Sequence, residues 1–599
     1  MTINSVITKV AQNIVQRSEQ SRKTYLENLE HSANKGKLRA SLSCGNLAHT
    51  VAASTKAEKV SLLDFTKANL AIVSSYNDMV SAHQPYLYYP ELIKKALAEL
   101  GNTAQVAGGV PAMCDGITQG NDGMELSLFS RDLIAQSTAL SLSHNTFDGT
   151  LLLGVCDKIA PGQLMGALTF GHLPTMFVPS GPMASGISND EKVSTRQKYV
   201  AGEVDKRALL EVECKAYHSA GTCTFFGTAN TNQLVFEAMG LMLPGSAFVA
   251  PNTLLRDKLT EKAAQYLASV SVNQHSKKAV GHVVNEKSVV NGLVALLAAG
   301  GSTNHTIHLV AVAKAAGWIV TWDDLDELSR VVPLLVNMYP NGDADINAFH
   351  KAGGVPALMK NLSLRGLIFM DANPAYGTME DYLTSPYLDA VGQVRFAPAM
   401  ESSDTKVLAD SRGSFSETGG LKLLSGNLGR GVMKVSAVAE EHQKVTAPAL
   451  VFESQHDVEI AYKNGLIKDD AVIVVRFNGP AANGMPELHK LMPILGNLMK
   501  QGLKVALVTD GRLSGASGKV PAVIHMTPEA KRGGPLAQIQ NGDMIEIDGQ
   551  TGKVSVLNNI EHRLIAESNL SNSQRGSGRE LFGVFRHLIS SAEQGATLF

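Results

Sequence analysis

Three side chains with different metal-binding chemistry stand side by side in Cys156-Asp157-Lys158, directly after an apolar run that predicts a strand. A thiolate is a ligand for iron or zinc, and a carboxylate is a ligand for a hard cation such as Mg²⁺. Lysine becomes a ligand only when it loses its charge or is carbamylated. The triplet therefore indicates a metal site, although a buried cysteine followed by a solvated turn would explain the same residues.

Two further cysteines lie in glycine-rich segments. Cys223 belongs to the segment 220–232, which is rich in glycine and threonine and whose backbone amides can donate hydrogen bonds to a cluster sulfur. Cys114 is followed by Asp115 in the segment 108–125, which the glycines predict to be a tight loop. Each of these cysteines, taken alone, is also consistent with a packed free thiol.

Two polar residues of the C-terminal part lie beside glycines in the same way. Glu487 is predicted at the start of a helix over 487–500, where it is either a metal ligand or an acid favoured by the helix dipole. Ser514 follows an apolar strand, so its hydroxyl is either an activated group or part of an ordinary turn. Its surroundings, Arg-Leu-Ser-Gly-Ala, differ from the G-x-S-x-G elbow of hydrolases.

Three glycine-containing loops, at 180–186, 300–305 and 425–430, are predicted to bind anions. A glycine-rich turn before a helix presents free backbone amides to a phosphate or carboxylate, and arginine adds charge-assisted bonds. None of the loops is a Walker A motif or a dinucleotide fingerprint, so a nucleotide is not implied. The candidate substrate-binding residues are Ser180, Gly181, Ser302, Thr303, Asn304, Arg430 and Arg512.

The elements that must position these side chains fall into two classes. Between 66 and 385, short apolar runs alternate with helical patterns, which predicts a large α/β domain with a mostly parallel sheet. From 386 to 599 strands dominate, with a hairpin signal at 548–552, which predicts a smaller β-rich, barrel-like domain. Residues 1–65 are predicted to be a helical segment. Ligands of open α/β sheets bind at strand ends, where several of the motifs lie.

Composition limits the class of protein. The chain has 599 residues, of which 44% are hydrophobic, so a large core and more than one domain are expected. With a net charge of −2, the chain has no excess of positive charge for binding nucleic acid or an anionic membrane, but it can still bind a small anionic substrate. Five cysteines do not form a disulfide scaffold, and we find neither a secretory signal nor a membrane-spanning run. We therefore expect a cytoplasmic enzyme in a reducing environment.

Together, and in this order, the motifs resemble those of the dihydroxy-acid dehydratase / 6-phosphogluconate dehydratase family. The resemblance extends from about residue 42 to residue 599 and is closest to the phosphogluconate branch. The segments that carry it, besides those around Cys156 and Ser514, are 44–49, 75–79, 81–84, 221–225, 452–457 and 593–597.

The resemblance implies a hydro-lyase of the Entner–Doudoroff pathway that converts 6-phospho-D-gluconate to 2-dehydro-3-deoxy-6-phospho-D-gluconate, and it implies a homodimer. It also implies a [4Fe–4S] cluster acting as a Lewis acid and, in several members, a neighbouring Mg²⁺. Dehydration of an unphosphorylated aldonic or branched dihydroxy acid remains an alternative, as does a redox or sensory iron–sulfur protein. By resemblance, the cluster ligands are Cys156 and Cys223, the magnesium ligands are Asp115, Asp157, Lys158 and Glu487, and the base is Ser514.

One cluster ligand departs from the family pattern. In the dihydroxy-acid branch a third cysteine follows a proline in a Pro-Cys-Asn string, whereas this chain has Ser-Ala-His at 81–83. Cys114, in the neighbouring loop, or Cys44 would have to replace it. We expect Cys114 to be the third ligand.

Overall fold

A four-stranded parallel sheet forms the centre of the N-terminal part, in the order β2-β1-β3-β4. We describe it in a computed structural model that covers residues 3–273, 275–515 and 517–599. Strands β1 and β3 are buried along their whole length, because helices cover a parallel sheet on both faces and favour continuous apolar runs. The strands are β1 (Asn69–Ser74), β2 (Thr103–Gly109), β3 (Gly149–Leu153) and β4 (Thr175–Phe177).

Eighteen α-helices precede the C-terminal part among the described residues, and five of them, α4, α5, α7, α8 and α12, contact the sheet. They are α1 (Ser5–Ala33), α2 (Leu38–Ser41), α3 (Cys44–Val51), α4 (Lys56–Leu63), α5 (Tyr89–Ala98), α6 (Asp115–Thr118), α7 (Ser127–Leu142), α8 (Ile159–Leu168), α9 (Asn189–Val200), α10 (Lys206–Ala216), α11 (Thr228–Ala238), α12 (Leu254–Ser271), α13 (Val280–Val283), α14 (Glu286–Ala298), α15 (His305–Ala315), α16 (Trp322–Ser329), α17 (Ile346–Lys351) and α18 (Gly354–Leu364). A hairpin of β5 (Thr384–Leu388) and β6 (Val394–Pro398) follows.

The C-terminal part is a closed barrel of eight strands, in the order β10-β11-β12-β8-β7-β14-β13-β9. Its strands are β7 (Leu421–Gly426), β8 (Gly429–Lys434), β9 (Lys444–Phe452), β10 (Ala471–Val475), β11 (Val505–Thr509), β12 (Ala522–Thr527), β13 (Met544–Asp548) and β14 (Lys553–Val556). The helices of this part are α19 (Gln455–Lys463), α20 (Pro480–Asn483), α21 (Leu491–Lys500) and α22 (Gly583–Leu588). The predicted α/β class, barrel and 548–552 hairpin are confirmed, whereas the domain boundaries remain a prediction.

Side chains alternate between the two sides of the barrel wall. Met433 and Val523 point into the barrel and belong to its own apolar core. Val432 and Ile524, one position along each strand, belong instead to the large core that extends through the α/β part. This alternation follows from the two-residue period of a strand, and it joins the two parts through the outer face of β8 and β12.

Two local predictions were wrong. The helix predicted to begin at Glu487 begins at Leu491, and the backbone of Glu487 instead pairs with Arg512 across a short bridge. The loop 425–430 is not a turn before a helix but the hairpin turn between β7 and β8, so it offers no helix N-terminus to an anion. In the described ranges we also find no helix with both the length and the apolarity needed to cross a membrane.

Candidate metal centre and active site

Three carboxylates converge between the α/β sheet and the barrel. Asp115 follows β2 at the start of α6, Asp157 follows β3, and Glu487 comes from the segment before α21. One carboxylate oxygen from each residue lies within 4.8 Å of those of the other two. Because parallel strands end at the same sheet edge, β2 and β3 deliver the two aspartates together, and the barrel part supplies the glutamate. This oxygen-only donor set suits a hard cation such as Mg²⁺.

Two cations are buried among these carboxylates. The Lys158 Nζ donates to Asp115 and, at 3.4 Å, to an oxygen of Asp157. The Arg512 guanidinium donates to Asp115 at 3.0 Å and to Glu487 at 2.8 Å. Three carboxylates and two cations leave a formal charge of about −1, and this pairing permits so many charges to remain buried. Lys158 and Arg512 are thus placed as counter-ions of the protein's own acids.

Neutral donors fix the orientation of the same carboxylates. The Ser127 hydroxyl donates to Asp115, and the Gln119 amide donates to Glu487 at 2.9 Å. The Nε–H of Arg512 donates to the carbonyl of Met485 at 2.7 Å, which fixes the guanidinium itself. The acids therefore cannot rotate freely, which is what a preorganised metal site requires.

The three acids differ in proton affinity. Burial opposes ionisation of Asp115, but Lys158 and Arg512 together outweigh it and lower the pKa of Asp115 below its usual range. Burial, assisted by the charge of Asp115, raises the pKa of Glu487 to about 7. Burial also raises the pKa of Asp157. A divalent cation bound here would favour the ionised form of all three acids.

Three cysteine thiols share one electrostatic environment beside the carboxylates. Cys114 and Cys223 are partly buried and Cys156 is buried. Burial raises the pKa of Cys114 to about 11 and that of Cys223 to about 12, and raises that of Cys156 strongly. A thiolate on Cys114 would further raise the pKa of the other two. Cys44, the other candidate for the third ligand, is exposed at the start of α3.

These thiols fit an iron–sulfur cluster. Three thiols that oppose one another's ionisation require a strong positive charge between them before all can act as thiolate ligands, and cluster iron supplies it. Three protein thiolates also leave one iron of a four-iron cluster without a protein ligand. The structure thus brings Cys114 together with Cys156 and Cys223, the set expected from the sequence.

The loop of Ser514 packs against the start of α11, just beyond the Cys223 segment. Its neighbour Gly515 has no room for a side chain, since a Cβ would collide with the hydroxyls of Ser302 and Thr228. Those two hydroxyls are 2.8 Å apart, and the Asn304 amide donates to Thr228 at 3.2 Å. The structure therefore brings Ser514 together with the predicted 302–304 segment.

Other predicted substrate contacts are already used within the protein. The Ser180 hydroxyl donates to the carbonyl of Ala82 at 2.7 Å. Gly181 has a φ of +86° and packs against the Val249 carbonyl, which accounts for this glycine without a ligand.

Arg430 is likewise engaged by the protein. It forms ion pairs with Asp323 at 2.7 Å and with Glu593 at 3.0 Å. These two carboxylates neutralise the charge of its guanidinium. A substrate role for Ser180, Gly181 and Arg430 stays a prediction without support from these contacts.

Several buried polar groups near the site were not identified as functional from the sequence. Lys434 ends β8 with its amine enclosed between the two parts of the molecule. His305 and His525 are fully buried, and burial lowers the pKa of each to about 3, so both are neutral. In the sequence, the only sign of a buried Lys434 is that it shares a strand face with the apolar Val432. Whether that face is buried can be known only from the register of the barrel.

Comparisons with known proteins agree with the motif-based expectation. Residues 67–381 match the family model "Dihydroxy-acid/6-phosphogluconate dehydratase N-terminal", and residues 406–596 match the corresponding C-terminal model. Phosphogluconate dehydratase of Escherichia coli (strain K12) is 55% identical over 99% of both chains. Phosphogluconate dehydratase of Rhizobium meliloti (strain 1021) is 51% identical over the whole of both chains. Dihydroxy-acid dehydratase of Helicobacter hepaticus is 31% identical over 89% of this chain and 95% of its own. The chain therefore belongs to the dihydroxy-acid/6-phosphogluconate dehydratase family.

Proposed function

We propose that this chain is a hydro-lyase that dehydrates 6-phospho-D-gluconate to 2-dehydro-3-deoxy-6-phospho-D-gluconate. One observation carries the choice of substrate. Over almost its full length the chain is 51–55% identical to relatives named phosphogluconate dehydratase, but only 31% identical to a dihydroxy-acid dehydratase. The converging carboxylates and thiols support a metal-assisted elimination.

We propose that a [4Fe–4S] cluster binds Cys114, Cys156 and Cys223, and that Mg²⁺ binds Asp115, Asp157 and Glu487. When bound, these groups supply a Lewis acid for the leaving hydroxyl and positive charge for the substrate carboxylate. Lys158 pairs with two of the acids as an ammonium ion, and it would join the magnesium ligands only as a carbamate. The mutual repulsion of the thiols and the 4.8 Å grouping of the acids support these two sites.

The chain's own residues have three tasks in this proposal. Ser514 removes the proton from C2, which becomes more acidic once the carboxylate is neutralised. Arg512 holds Asp115 and Glu487 in place through its two ion pairs. The buried setting keeps bulk water away from the reacting carbons. Loss of the C2 proton and the C3 hydroxide releases one water and leaves an enol, which tautomerises to the 2-oxo product.

The remaining features follow from the family resemblance and are part of the proposal. We propose that the enzyme acts in the Entner–Doudoroff pathway, in the cytoplasm and as a homodimer. Size-exclusion chromatography with light scattering of the iron-loaded protein tests the dimer, and a monomer would contradict it.

Anaerobic purification followed by iron analysis and a substrate panel tests the function. We expect several irons per chain and turnover of 6-phospho-D-gluconate well above that of gluconate or a branched 2,3-dihydroxy acid. Cys156→Ser and Cys223→Ser should lose iron and activity together, whereas Cys214→Ser, which changes an exposed cysteine of α10, should lose neither. Full activity of iron-free protein would refute the cluster, and preference for a plain acid would refute the substrate.

Substitution of Ser514 separates the base from the metal sites. Ser514→Ala should retain iron and lose turnover by about 100-fold or more, as expected for removal of a general base. An unimpaired rate would remove Ser514 from the mechanism.

A further inference from the structure

Lys434 is a buried amine at the junction of the two parts of the molecule. It is the last residue of β8, and 4% of it is exposed. Its Nζ has no hydrogen-bond partner within the described ranges. Isolated ammonium groups are costly to bury, so this amine either meets a ligand or exists without its charge. Val432, two residues earlier on β8, faces the α/β core, which places Lys434 on the same side.

The amine opens into a small cavity beneath the loop that carries Ser514. Leu513, Ser517 and Gly518 of this loop line the cavity, and Thr303 lines it from the segment before α15. The loop closes over it by a turn in which the Ser517 backbone N–H donates to the Ser514 carbonyl at 2.9 Å. The space suits about one water molecule and not a phosphate group.

The surroundings favour the neutral amine. Among the described residues, the side chains that line the cavity beside Lys434 are uncharged. They belong to β12, to the loop that carries Ser514 and to the segment before α15, and they are Thr303, Leu513, Ser517, Val520, Ala522 and Ile524. Lys519 of the same loop lies 3.9 Å from Asp190 and over the ring of Tyr339. Burial alone lowers the pKa of Lys434 to about 7. A neutral lysine is a proton acceptor, in contrast to the ammonium of Lys158.

We propose that Lys434 is a positioning residue for the base, and that its amine accepts the proton of the Ser514 hydroxyl through a water molecule in this cavity and the Ser517 hydroxyl that lines it. The protons balance over one cycle. Lys434 takes the serine proton, the Ser514 alkoxide takes the C2 proton, and the ammonium then passes its proton to the hydroxide released from C3. The cycle ends with a neutral amine, a serine hydroxyl and one water. This inference rests on the proposed dehydratase function and on Ser514 as its base.

Two substitutions distinguish a proton acceptor from a fixed cation. Lys434→Met removes the amine, whereas Lys434→Arg keeps a charge that cannot be lost. We expect both variants to lower kcat by about 100-fold or more while KM and iron content remain unchanged. The wild-type rate should rise with pH through about 7, as the amine loses its proton, and both variants should lack this rise. Lys519→Met, in the same loop, is the matched control and should behave as wild type.

Chemical rescue gives a second, independent measurement. Lys434→Ala opens space for a small amine, so methylamine should restore part of its activity and should not accelerate the wild type. This readout also decides the case in which the Met variant does not fold, because rescue requires a neutral amine in the cavity and not a particular side chain.

Several results would overturn the role of Lys434. A wild-type rate in Lys434→Arg would make the residue a fixed cation. A raised KM for 6-phospho-D-gluconate with unchanged kcat would make it a substrate anchor. An Ala variant that folds but is not rescued, or a Met variant that is unimpaired, would exclude the proton transfer. Absence of turnover in iron-loaded wild type is a different outcome, which refutes the proposed function itself.

Discussion

Replacement of Arg512 by methionine should destabilise the protein strongly. The Arg512 side chain is 1% exposed, and its ion pairs to Asp115 and Glu487 are 3.0 and 2.8 Å long. Methionine keeps most of the volume, so the effect comes from charge: the cluster of three acids and two cations changes from about −1 to about −2. Removing one partner of a buried ion pair costs about 3–5 kcal/mol, because the other partner stays buried without compensation. For a cooperative unit of about 150–250 residues, such as the C-terminal part, this cost corresponds to a fall in Tm of about 6–20 °C.

Differential scanning fluorimetry of the metal-free protein, with and without Mg²⁺, measures this loss. Mg²⁺ should restore part of the Tm of Arg512→Met, because a divalent cation bound to Asp115 and Glu487 replaces the missing charge. Arg430→Met is the matched control, since Arg430 also pairs with two acids but is 35% exposed, and an exposed pair contributes only about 0–1 kcal/mol. Equal Tm values for the two variants would refute the assignment of Arg512 as the main counter-ion of the acid cluster.

Two further predictions concern the third cluster ligand and the pH dependence of stability. Cys114→Ser should lose iron whereas Cys44→Ser should retain it, since Cys114 shares its environment with the other two thiols and Cys44 is exposed; iron retained in the first variant and lost in the second would reverse the choice. Burial, assisted by the charge of Asp510, raises the pKa of Glu529 to about 7. The protonated carboxyl therefore stabilises the folded state below about pH 4.5, and this stabilisation is lost as the pH rises through 7. Glu529→Gln cannot ionise, so it should avoid a loss of up to about 3 kcal/mol in the free energy of unfolding at pH 8. Its plot of Tm against pH should therefore be flatter than that of the wild type, and parallel plots would contradict this.

The fold class could be predicted because local patterns report it. Continuous apolar runs such as that of β3 and the 548–552 turn depend on residues close in sequence, and the structure confirms both. The start of α21 was predicted too early, because an acid next to a proline in front of an apolar helix resembles an N-terminus. The backbone of Glu487 instead pairs with Arg512, which lies 25 residues further along the chain. A pairing of that kind leaves no periodic signal.

The candidate site was predictable as a set of residue types and much less as a set of roles. The motifs around Cys156, Cys223 and Ser514 identified the family, which the comparisons confirm. The role of each arginine was harder to predict, because a guanidinium suited to a substrate anion is equally suited to a protein carboxylate. Arg430 and Arg512 both proved to be paired with the protein's own acids.

The sequence by itself determined the chemistry that is available: thiols for iron, carboxylates for a hard cation, a hydroxyl beside glycines, and the strands that carry them. Only the tertiary structure decided which of these groups meet. Asp115 and Glu487 lie 372 positions apart in the chain, yet they share Arg512 because the sheet edge and the barrel wall face each other. In the sequence Lys434 resembles an ordinary strand residue. The barrel register places its side chain beside Thr303 and the loop that carries Ser514. Burial and charge pairing depend on neighbours brought together by packing, and a linear pattern does not contain them.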